Sequence, residues 1–500
     1  MRSVSGRFGI VAPFRDDRLH HGGRRRGASS SSYLHMKPYL NTEDHPEKFE
    51  AILALEVKEP TAATDRPGHA LLSRIGGERA TQGPGNKIVT FGGKTHVVWQ
   101  DSLEERYFAR VRTFDREAGE WLPGQVLMEG IDEHSRPVIA VTPDGYLHVV
   151  MGGHNSPLQY RRSKRPNDSS EWEATVHFSS GTYPVLLADD EGRLLLSFRD
   201  LRHDGLDLWE HPPVGCWRPF SRLLRRDERF GRYSAFHNGF AWAADRRGLH
   251  LSTGLFLTFQ EDRGPLNEVS GKYQGIGTLF SPDGGRHWER GDGEAVALPA
   301  SPATLELMEE KVSDQPKPGL NHGGIAVDSR DRVYLAYTRH VPHPGEGLLW
   351  ARSGAGDWER LPLAEAIGQH WPGFGVTTLR LSMTEDDRLC ILGERVPLDH
   401  PEANWSPGER GRPAFWLRKH PELHRMIYME TADGGKTFVC RDLAPEPKAG
   451  AGQHLPTVER RDGANAIEGG RLPGVLYFEG VFDYPPDGTT VDNDVYFVQP

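Results

Sequence analysis

One short strand motif recurs seven times along the 500-residue chain. Each copy opens with a polar turn and continues with alternating apolar and polar residues, the pattern of a strand with one buried face. The copies are GGKTHVVW from Gly92, DGYLHVV from Asp144, EGRLLLSF from Glu191, RGLHLSTG from Arg247, RDRVYLAY from Arg330, DDRLCIL from Asp386 and GGRLPGVLYF from Gly469. Such internal repetition predicts one unit built many times over.

The spacing of the copies indicates what that unit is. Their second turn residues stand at positions 93, 145, 192, 248, 331, 387 and 470, so the steps are 52, 47, 56, 83, 56 and 83 residues. A unit of about fifty residues is too long for one hairpin and suits a four-stranded propeller blade. We therefore predict an all-β fold, a single-domain seven-bladed β-propeller over residues 41–500. The strand-like residues 491–498 (VDNDVYFV) should close it against the N-terminal segment.

Two segments share a second pattern, S/T-x-D-x-G-x-x-aromatic: SPDGGRHW from Ser281 and TADGGKTF from Thr431. They resemble the Asp-box of sialidase-type propellers. In such a turn the Asp accepts backbone N–H bonds, a Gly takes a positive φ, and the aromatic ring packs between sheets. We expect both segments to be structural and not catalytic.

Net charge and cysteine spacing limit the classes of partner and the kinds of site that the chain can have. Lys and Arg total 60 against 70 Asp and Glu, and the net charge of -10 predicts neither nucleic-acid nor membrane binding. The three cysteines have none of the paired spacings of a zinc site or disulfide framework. The polar residues 1–40 are predicted to be a disordered extension. Because no apolar run follows their basic start, we expect a soluble chain, cytoplasmic unless the true start lies elsewhere, when it would be secreted or periplasmic.

Four residues of suitable chemistry fall at corresponding ends of predicted hairpins. His134 precedes and His154 follows a two-strand segment, and a hairpin returns both ends to one rim. In the next unit, Tyr183 (GTYP) and Arg199 (SFRD) flank a second hairpin in the same way. We predict that His134, His154, Tyr183 and Arg199 converge as catalytic residues.

Other residues are predicted to bind substrate. Tyr233 (GRYSAFHNG) and His322 (LNHGG) stand at similar positions in later units, and Arg161 and Arg162 follow the His154 loop, where they would bind sulfate or carboxylate groups. The alternatives are that His322 is a core histidine and that the two arginines are a solvated basic turn. We interpret Tyr146 and Trp172 as packing residues.

Residues 86–340 resemble the BNR-repeat propellers that include the ulvan lyases. The resemblance is carried by DEHSRPVIAVTPDGYLHVVMGGHNSPLQYRRS and TYPVLLADDEGRLLLSFRD. It implies a polysaccharide lyase whose site holds two histidines, a tyrosine and an arginine. These match His134, His154, Tyr183 and Arg199, and Tyr233 matches a further tyrosine with looser spacing.

Those residue types suit β-elimination on a uronate-containing, ulvan-like glycan, sulfated or unsulfated. Arg199 with His154 would hold the uronate carboxylate and stabilise the enolate that forms when C5 loses its proton. His134 would act as base or as proton partner of O4, with Tyr183 as the acid; a tyrosinate is an equally suitable base. The scheme requires no cofactor, leaves room for a structural metal ion, and assigns no metal ligands.

Two other classes of function stay open. A glycoside hydrolase, rhamnosidase-like or sialidase-like, fits the same scaffold, although the RIP-type motif of a sialidase is missing. A non-catalytic carbohydrate-binding or protein-binding propeller also fits, because a fold does not fix a function. In each case we expect a monomer with an acidic polysaccharide or oligosaccharide as its partner.

Overall fold

The computed structural model describes residues 66, 68–83, 85–103, 106–154, 156–200, 205–225, 234–258, 271–310, 320–339, 345–400, 420–481 and 493–500. All of these residues belong to one compact unit, Tyr39–Pro500. The predicted extension over residues 1–40 and the candidate Tyr233 lie outside the described residues.

The described residues form 29 β-strands. They are β1 (His69–Gly76), β2 (Ile88–Phe91), β3 (Lys94–Leu103), β4 (Arg106–Asp115), β5 (Glu120–Trp121), β6 (Gln125–Gly130), β7 (Val138–Val141), β8 (Leu147–Met151), β9 (Ser156–Arg165), β10 (Asp168–Trp172), β11 (Val176–Ala188), β12 (Leu194–Asp200), β13 (Gly205–His211), β14 (Arg218–Arg225), β15 (Ser234–Trp242), β16 (Leu249–Thr258), β17 (Gly271–Ser281), β18 (Glu306–Glu310), β19 (Leu320–Val327), β20 (Arg332–Arg339), β21 (Glu346–Ser353), β22 (Glu359–Leu361), β23 (Phe374–Met383), β24 (Leu389–Pro397), β25 (Arg425–Thr431), β26 (Val439–Asp442), β27 (Gly452–Val458), β28 (Val475–Gly480) and β29 (Asn493–Val498).

Helical structure is sparse in the described part of the chain. It consists of one α-helix, α1 (Leu363–His370), which buries Leu363 and Ile367, and a 3-10 turn over Pro421–Leu423. No helix among these residues is long and apolar enough to cross a membrane. The prediction of an all-β fold is therefore confirmed.

The strands form five sheets with antiparallel neighbours. Three are four-stranded meanders, β15–β18, β19–β22 and β23–β26. A fourth has the order β14-β13-β12-β11-β9-β8-β7, with β10 beside β9, and the fifth has the order β27-β28-β29-β1-β3-β4-β5, with β2 beside β3 and β6 beside β4. In this last sheet β29 pairs with β1, from His69 opposite Val498 to Gly76 opposite Asn493. The last strand of the chain thus meets the first described strand, as predicted.

Each of the seven motif copies forms a strand: β3, β8, β12, β16, β20, β24 and β28. The turn before each strand has a residue in the left-handed region, with φ between +58° and +82°. These residues are Gly93, Gly145, Gly192, Arg246, Asp331, Asp387 and Gly470. Glycine is favoured at such positions because it has no Cβ to clash, and Asp tolerates them better than most residues.

Both Asp-box turns have the predicted geometry. In the first, Oδ1 of Asp283 accepts the backbone N–H groups of Arg286 at 3.0 Å and His287 at 2.8 Å. Gly284 and Gly285 have positive φ, and the Trp288 ring is buried in the apolar cluster between β11–β14 and β15–β17. In the second, Asp433 accepts the N–H groups of Lys436 and Thr437 at 3.0 and 3.1 Å.

The apolar core lies where neighbouring sheets face each other. One cluster packs Val98 and Val111 of β3 and β4 against Ile139 and Val149 of β7 and β8. Each fully buried aliphatic side chain of this kind contributes about 1.5–3 kcal/mol to folding. Because the faces of the strands pack against neighbouring sheets, binding and catalytic residues are expected in the loops and near the ends of the hairpins.

Candidate active site

The four predicted catalytic residues converge. His134 lies in the loop between β6 and β7, and His154 directly follows β8. The two imidazole rings are 4.3 Å apart between centroids, and the His134 ring is 5.9 Å from that of Tyr183 on β11. The guanidinium carbon of Arg199, on β12, lies 4.7 Å from the centre of the Tyr183 ring. Two predicted hairpins therefore bring their ends to one cluster.

Asp132 positions both histidines. Its Oδ1 accepts the backbone N–H of His134 at 2.9 Å and that of His154 at 3.3 Å. Its Oδ2 lies 3.4 Å from Nδ1 of His134 and 3.6 Å from Nδ1 of His154. Because one carboxylate contacts both loops, it fixes the separation of the two imidazoles.

The loop that carries His134 is also fixed from below by strand β3. The side-chain amide of Gln100 donates to the carbonyl oxygens of Glu133 at 3.2 Å and Ser135 at 2.7 Å. The Ser135 hydroxyl in turn accepts the backbone N–H of Ile131 at 3.0 Å. These bonds hold a short loop in one conformation, as a preorganised site requires.

Tyr183 has an unusual backbone for its residue type. Its φ is +60°, and it sits at a register shift where β11 pairs with β12 between Thr182 and Val185. A non-glycine residue in this region costs about 1–3 kcal/mol, a strain that clusters at functional sites. The bulge interrupts the regular ladder at the residue whose ring lies 5.9 Å from that of His134.

Positive charge surrounds the Tyr183 ring. The guanidinium carbon of Arg136 lies 4.7 Å from the ring centre, the same distance as that of Arg199. Burial by itself raises the pKa of the Tyr183 phenol, but His134, Arg199, Arg136 and Arg79 outweigh it and lower the pKa to about 8. The phenolate is therefore accessible near neutral pH.

The two histidines differ in protonation. Burial and Arg79 lower the pKa of His134, but the phenol of Tyr183 and the carboxylates of Asp132 and Glu133 reverse the balance and raise it. Burial and the neighbouring His134 lower the pKa of His154 to about 4. His134 therefore keeps its proton to a higher pH than His154, which is neutral at neutral pH.

Arg199 lies deeper than a direct substrate ligand would. Its side chain is 0% exposed, and Nη2 donates to Oγ1 of Thr182 at 3.3 Å. By contrast the His154 side chain is 41% exposed and that of His134 is 12% exposed. In this structure Arg199 acts on the cluster from behind Tyr183, and the histidines face the open side.

A model described as a BNR repeat-containing family member matches residues 94–366, more than half of the chain, including all four of these residues. The chain belongs to the BNR repeat-containing family.

Curated relatives of this BNR-repeat protein include ulvan lyases. Ulvan Lyase-PL25 of Pseudoalteromonas sp. (strain PLSV) is 24% identical over 251 residues, 44% of this chain and 50% of the relative. An ulvan lyase of Nonlabens ulvanivorans is 28% identical over 142 residues, 23% of this chain and 29% of the relative. The BNR-repeat protein therefore matches half or less of the length of these relatives.

The fold is also similar to a solved structure. A polysaccharide lyase described as PL25-ulvanlyase aligns with a TM-score of 0.62 and 15% identity, over 87% of this chain and 96% of that one. A second structure of that lyase, with the same agreement, is bound to -[GlcA(1-4)Rha3S]-. At this identity the likeness shows that the BNR-repeat protein shares the fold.

The sequence did not point to several residues of the cluster. Arg136 stands two residues after His134, and no pattern in the sequence marks it. His237, on β15, contacts the Tyr183 ring edge-on at 5.1 Å, and no pattern in the sequence marks it. Arg136 and His237 also line a small cavity together with Gln82, Gly83, Asn238, His322, Gly323, Gly324, Arg380 and Arg460.

His322, predicted to bind substrate, is a buried residue of the BNR-repeat protein. His322 lies in β19, buried, with Nε2 2.7 Å from the Ser252 hydroxyl, and burial and Arg380 lower its pKa to about 3. It borders the cavity. Among the described residues, no hydrogen bond joins it to any of the four catalytic candidates.

Arg161 and Arg162 are not brought into the cluster. Arg161 donates to the carbonyl oxygens of Glu173 at 2.7 Å and Leu127 at 2.9 Å. Arg162 pairs with the Glu173 carboxylate at 3.1 Å and stacks on the Tyr146 ring at 3.4 Å. These contacts tie β9 to its neighbours.

The cluster also has ligand atoms suited to a cation. Asp132, His134 and His154 each offer one such atom, and these lie within 4.8 Å of one another. A carboxylate and two imidazoles are ligands that divalent transition metals accept.

Proposed function

We propose that this chain is a polysaccharide lyase that cleaves a uronate-containing, ulvan-like glycan by β-elimination, acting as a monomer. The observation that carries the proposal is that His134 and His154 lie beside Tyr183, whose phenol has a pKa lowered to about 8. The names of the relatives agree, since two curated relatives are ulvan lyases. A solved structure with this fold is a lyase bound to a glucuronate-containing oligosaccharide.

The proposed reaction begins at C5 of the uronate. The Tyr183 phenolate takes the C5 proton, the electron pair forms the C4=C5 double bond, and the C4–O4 bond breaks. The imidazolium of His134 gives its proton to the departing O4. Tyr183 is then protonated and His134 neutral, and transfer of a proton between them, directly or through water, restores both. The directions of their pKa shifts favour this assignment over the reverse.

The charge that develops on the carboxylate side needs stabilisation. The partly exposed His154 is placed to donate a hydrogen bond to the substrate carboxylate. Arg199 and Arg136, each 4.7 Å from the Tyr183 ring, supply a fixed positive field without moving. The proposed chemistry uses these side chains alone and no cofactor.

The proposed architecture is a seven-bladed β-propeller. Antiparallel pairing supports it because the strands divide into seven sets of four. Two of the five sheets must be divided to give these sets. One is divided between β1 and β3, which share one residue pair, and the other between β9 and β11, since β9 also pairs with β10. The sets are β27-β28-β29-β1, β2-β3-β4-β6 with β5 at its edge, β7-β8-β9-β10, β11–β14, β15–β18, β19–β22 and β23–β26. Counted along each set in the order of pairing, the motif strand is the second strand of all seven sets.

A glycoside hydrolase is the second candidate, and one observation favours it. Burial raises the pKa of the Glu78 carboxyl to about 7, which is suitable for a general acid. Glu133 and His134 are among the charged groups that act on it, so it lies near the cluster. A hydrolase would pair this acid with a second carboxylate.

Two signals from one digestion separate these functions. Purified chain is incubated with a uronate-containing polysaccharide and with a neutral polysaccharide as control. The proposal expects ultraviolet absorbance from unsaturated uronate to rise together with new reducing ends, on the uronate glycan alone. New reducing ends without that absorbance would contradict the proposal and favour hydrolysis. Neither signal, with binding retained, would indicate a binding protein.

A further inference from the structure

Three metal-ligating side chains meet in the interior, outside the candidate active site. Glu394 lies on β24, His424 lies between the 3-10 turn and β25, and His454 lies on β27. Their exposed fractions are 3%, 5% and 1%. None of the three has a part in the proposed elimination.

The ligand atoms point at one another. The Nδ1 atoms of both His424 and His454 face Oε1 of Glu394, the first in a hydrogen bond and the second at 3.3 Å. The imidazole centroids are 4.5 Å apart. All three ligand atoms lie within 4.8 Å of one another. In tetrahedral zinc, bonds of about 2.0–2.2 Å place neighbouring N and O ligands roughly 3.4 Å apart. The distance between His454 and Glu394 already fits this value, and the hydrogen bond between His424 and Glu394 would have to open to admit the ion.

The surroundings hold the carboxylate in place. Its second oxygen, Oε2, accepts the backbone N–H of Leu455 at 3.3 Å. Leu455 has a φ of +48°, at the bulge that follows His454 in β27. Metal ligands are commonly oriented by such outer contacts, and a strained backbone is kept where the surrounding structure requires it.

We propose that Glu394, His424 and His454 bind one divalent transition-metal ion, with Zn²⁺ the best match to two imidazoles and a carboxylate. We assign the site a structural role because its ligands are buried; a water would supply the fourth ligand of tetrahedral zinc. The site joins the four-stranded sheet β23–β26 to the sheet that contains β27, β28, β29 and β1. The ion therefore ties together two sheets.

A metal-free hydrogen-bonded trio is the competing explanation. In that case one carboxylate accepts from two neutral imidazoles, which also satisfies buried polar groups. Glu394 has a second charged neighbour, Arg380. Histidine variants are therefore the better test, because they leave the charge of Glu394 opposite Arg380 in place.

The experiment measures metal content on the full-length chain. Wild type, His424→Gln, His454→Gln and Asp132→Asn are stripped with a chelator, incubated with Zn²⁺, dialysed and analysed by elemental mass spectrometry, with folding checked by circular dichroism. Asp132→Asn is the matched control because Asp132 belongs to the other metal-capable cluster. Losing even an outer contact of a ligand weakens binding by about 10–100-fold, so losing a ligand should do at least as much.

We expect one equivalent of Zn²⁺ per chain in wild type and Asp132→Asn, and little in the two histidine variants. Metal removal should also lower the melting temperature of wild type, and Zn²⁺ should restore it. Zinc that follows Asp132, or no zinc bound by wild type, would overturn the proposal. If the histidine variants do not fold, anomalous diffraction at the zinc edge from wild-type crystals decides, with the peak expected at Glu394.

Discussion

At the scale of single residues, the account depends on the phenol of Tyr183. We expect Tyr183→Phe to lower the elimination rate by about 10²–10⁴, the usual contribution of a positioned acid–base group. The ring and its two arginine neighbours stay in place, so only the ionisable oxygen is lost. Initial rates of ultraviolet absorbance on a confirmed substrate measure the effect.

The matched control for that variant is Tyr146→Phe. Tyr146 also stacks on an arginine, Arg162, but lies away from the cluster. Its hydroxyl has no part in the proposed chemistry, and its rate should stay near that of wild type. Equal losses in both variants would mean that removing a tyrosine hydroxyl harms the protein in a general way.

The charge near Tyr183 predicts a pH dependence. If the phenolate is the base, as proposed, activity should rise with pH through about 8, the pKa to which the cluster lowers Tyr183. Arg136→Gln removes one of the charges that lower this pKa. The midpoint of the rising limb should therefore move up, by about one to three pH units for a charge at this range.

The control for this variant is Arg162→Gln, another arginine stacked on a tyrosine. It should leave the midpoint unchanged. The kcat/KM profile of each variant is compared with that of wild type. An unshifted midpoint in Arg136→Gln would show that another group titrates in the rising limb.

Some of these residues were predictable and others were not. His134, His154, Tyr183 and Arg199 stand at the ends of hairpins that the repeat places at corresponding positions, so the pattern predicted their approach. The contact of His237 with Tyr183 joins β15 to β11 and depends on how separate sheets pack. The burial of Arg199 follows from that same packing, which periodicity does not describe.

At the scale of elements, the Asp-box turns should matter for stability and not for catalysis. Asp283 accepts two backbone N–H bonds and lies next to the Ser281 hydroxyl. At about 0.5–1.5 kcal/mol each, their loss in Asp283→Ala should lower the free energy of unfolding by about 1–3 kcal/mol. Chemical denaturation measures this, and kcat should not change.

Asp357→Ala is the control for the Asp-box. Asp357 is an exposed residue between β21 and β22, and its substitution should change the free energy of unfolding by less than about 0.5 kcal/mol. A fall in kcat for folded Asp283→Ala would contradict the structural role of the Asp-box.

The pattern predicted regular strands but not their irregularities. The seven motif strands were found because turn chemistry and alternation agree in each of them. The bulge in β11 was not, because a tyrosine with φ of +60° goes against its own local preference. Tertiary contacts impose that conformation, and it is what aims Tyr183 at the histidines.

At the scale of the whole molecule, the repeat predicted the all-β class and the pairing of the last strand with the first described one. The two long steps of 83 residues are insertions whose course the sequence does not specify. The strand pattern recurs in every unit and can be recognised, whereas each insertion has a sequence of its own. The contacts within a site depend on the repeated strands and on the insertions.

The proposed reaction is an elimination and not a hydrolysis. Mass spectrometry of the products from a defined uronate oligosaccharide distinguishes the two reactions. Elimination adds no water, so the product masses should sum to the mass of the substrate, with the new non-reducing end carrying the unsaturated uronate. We expect that sum for wild type, and almost entirely uncleaved substrate for Tyr183→Phe over the same time. Products whose masses sum to the substrate plus one water would contradict the proposed elimination.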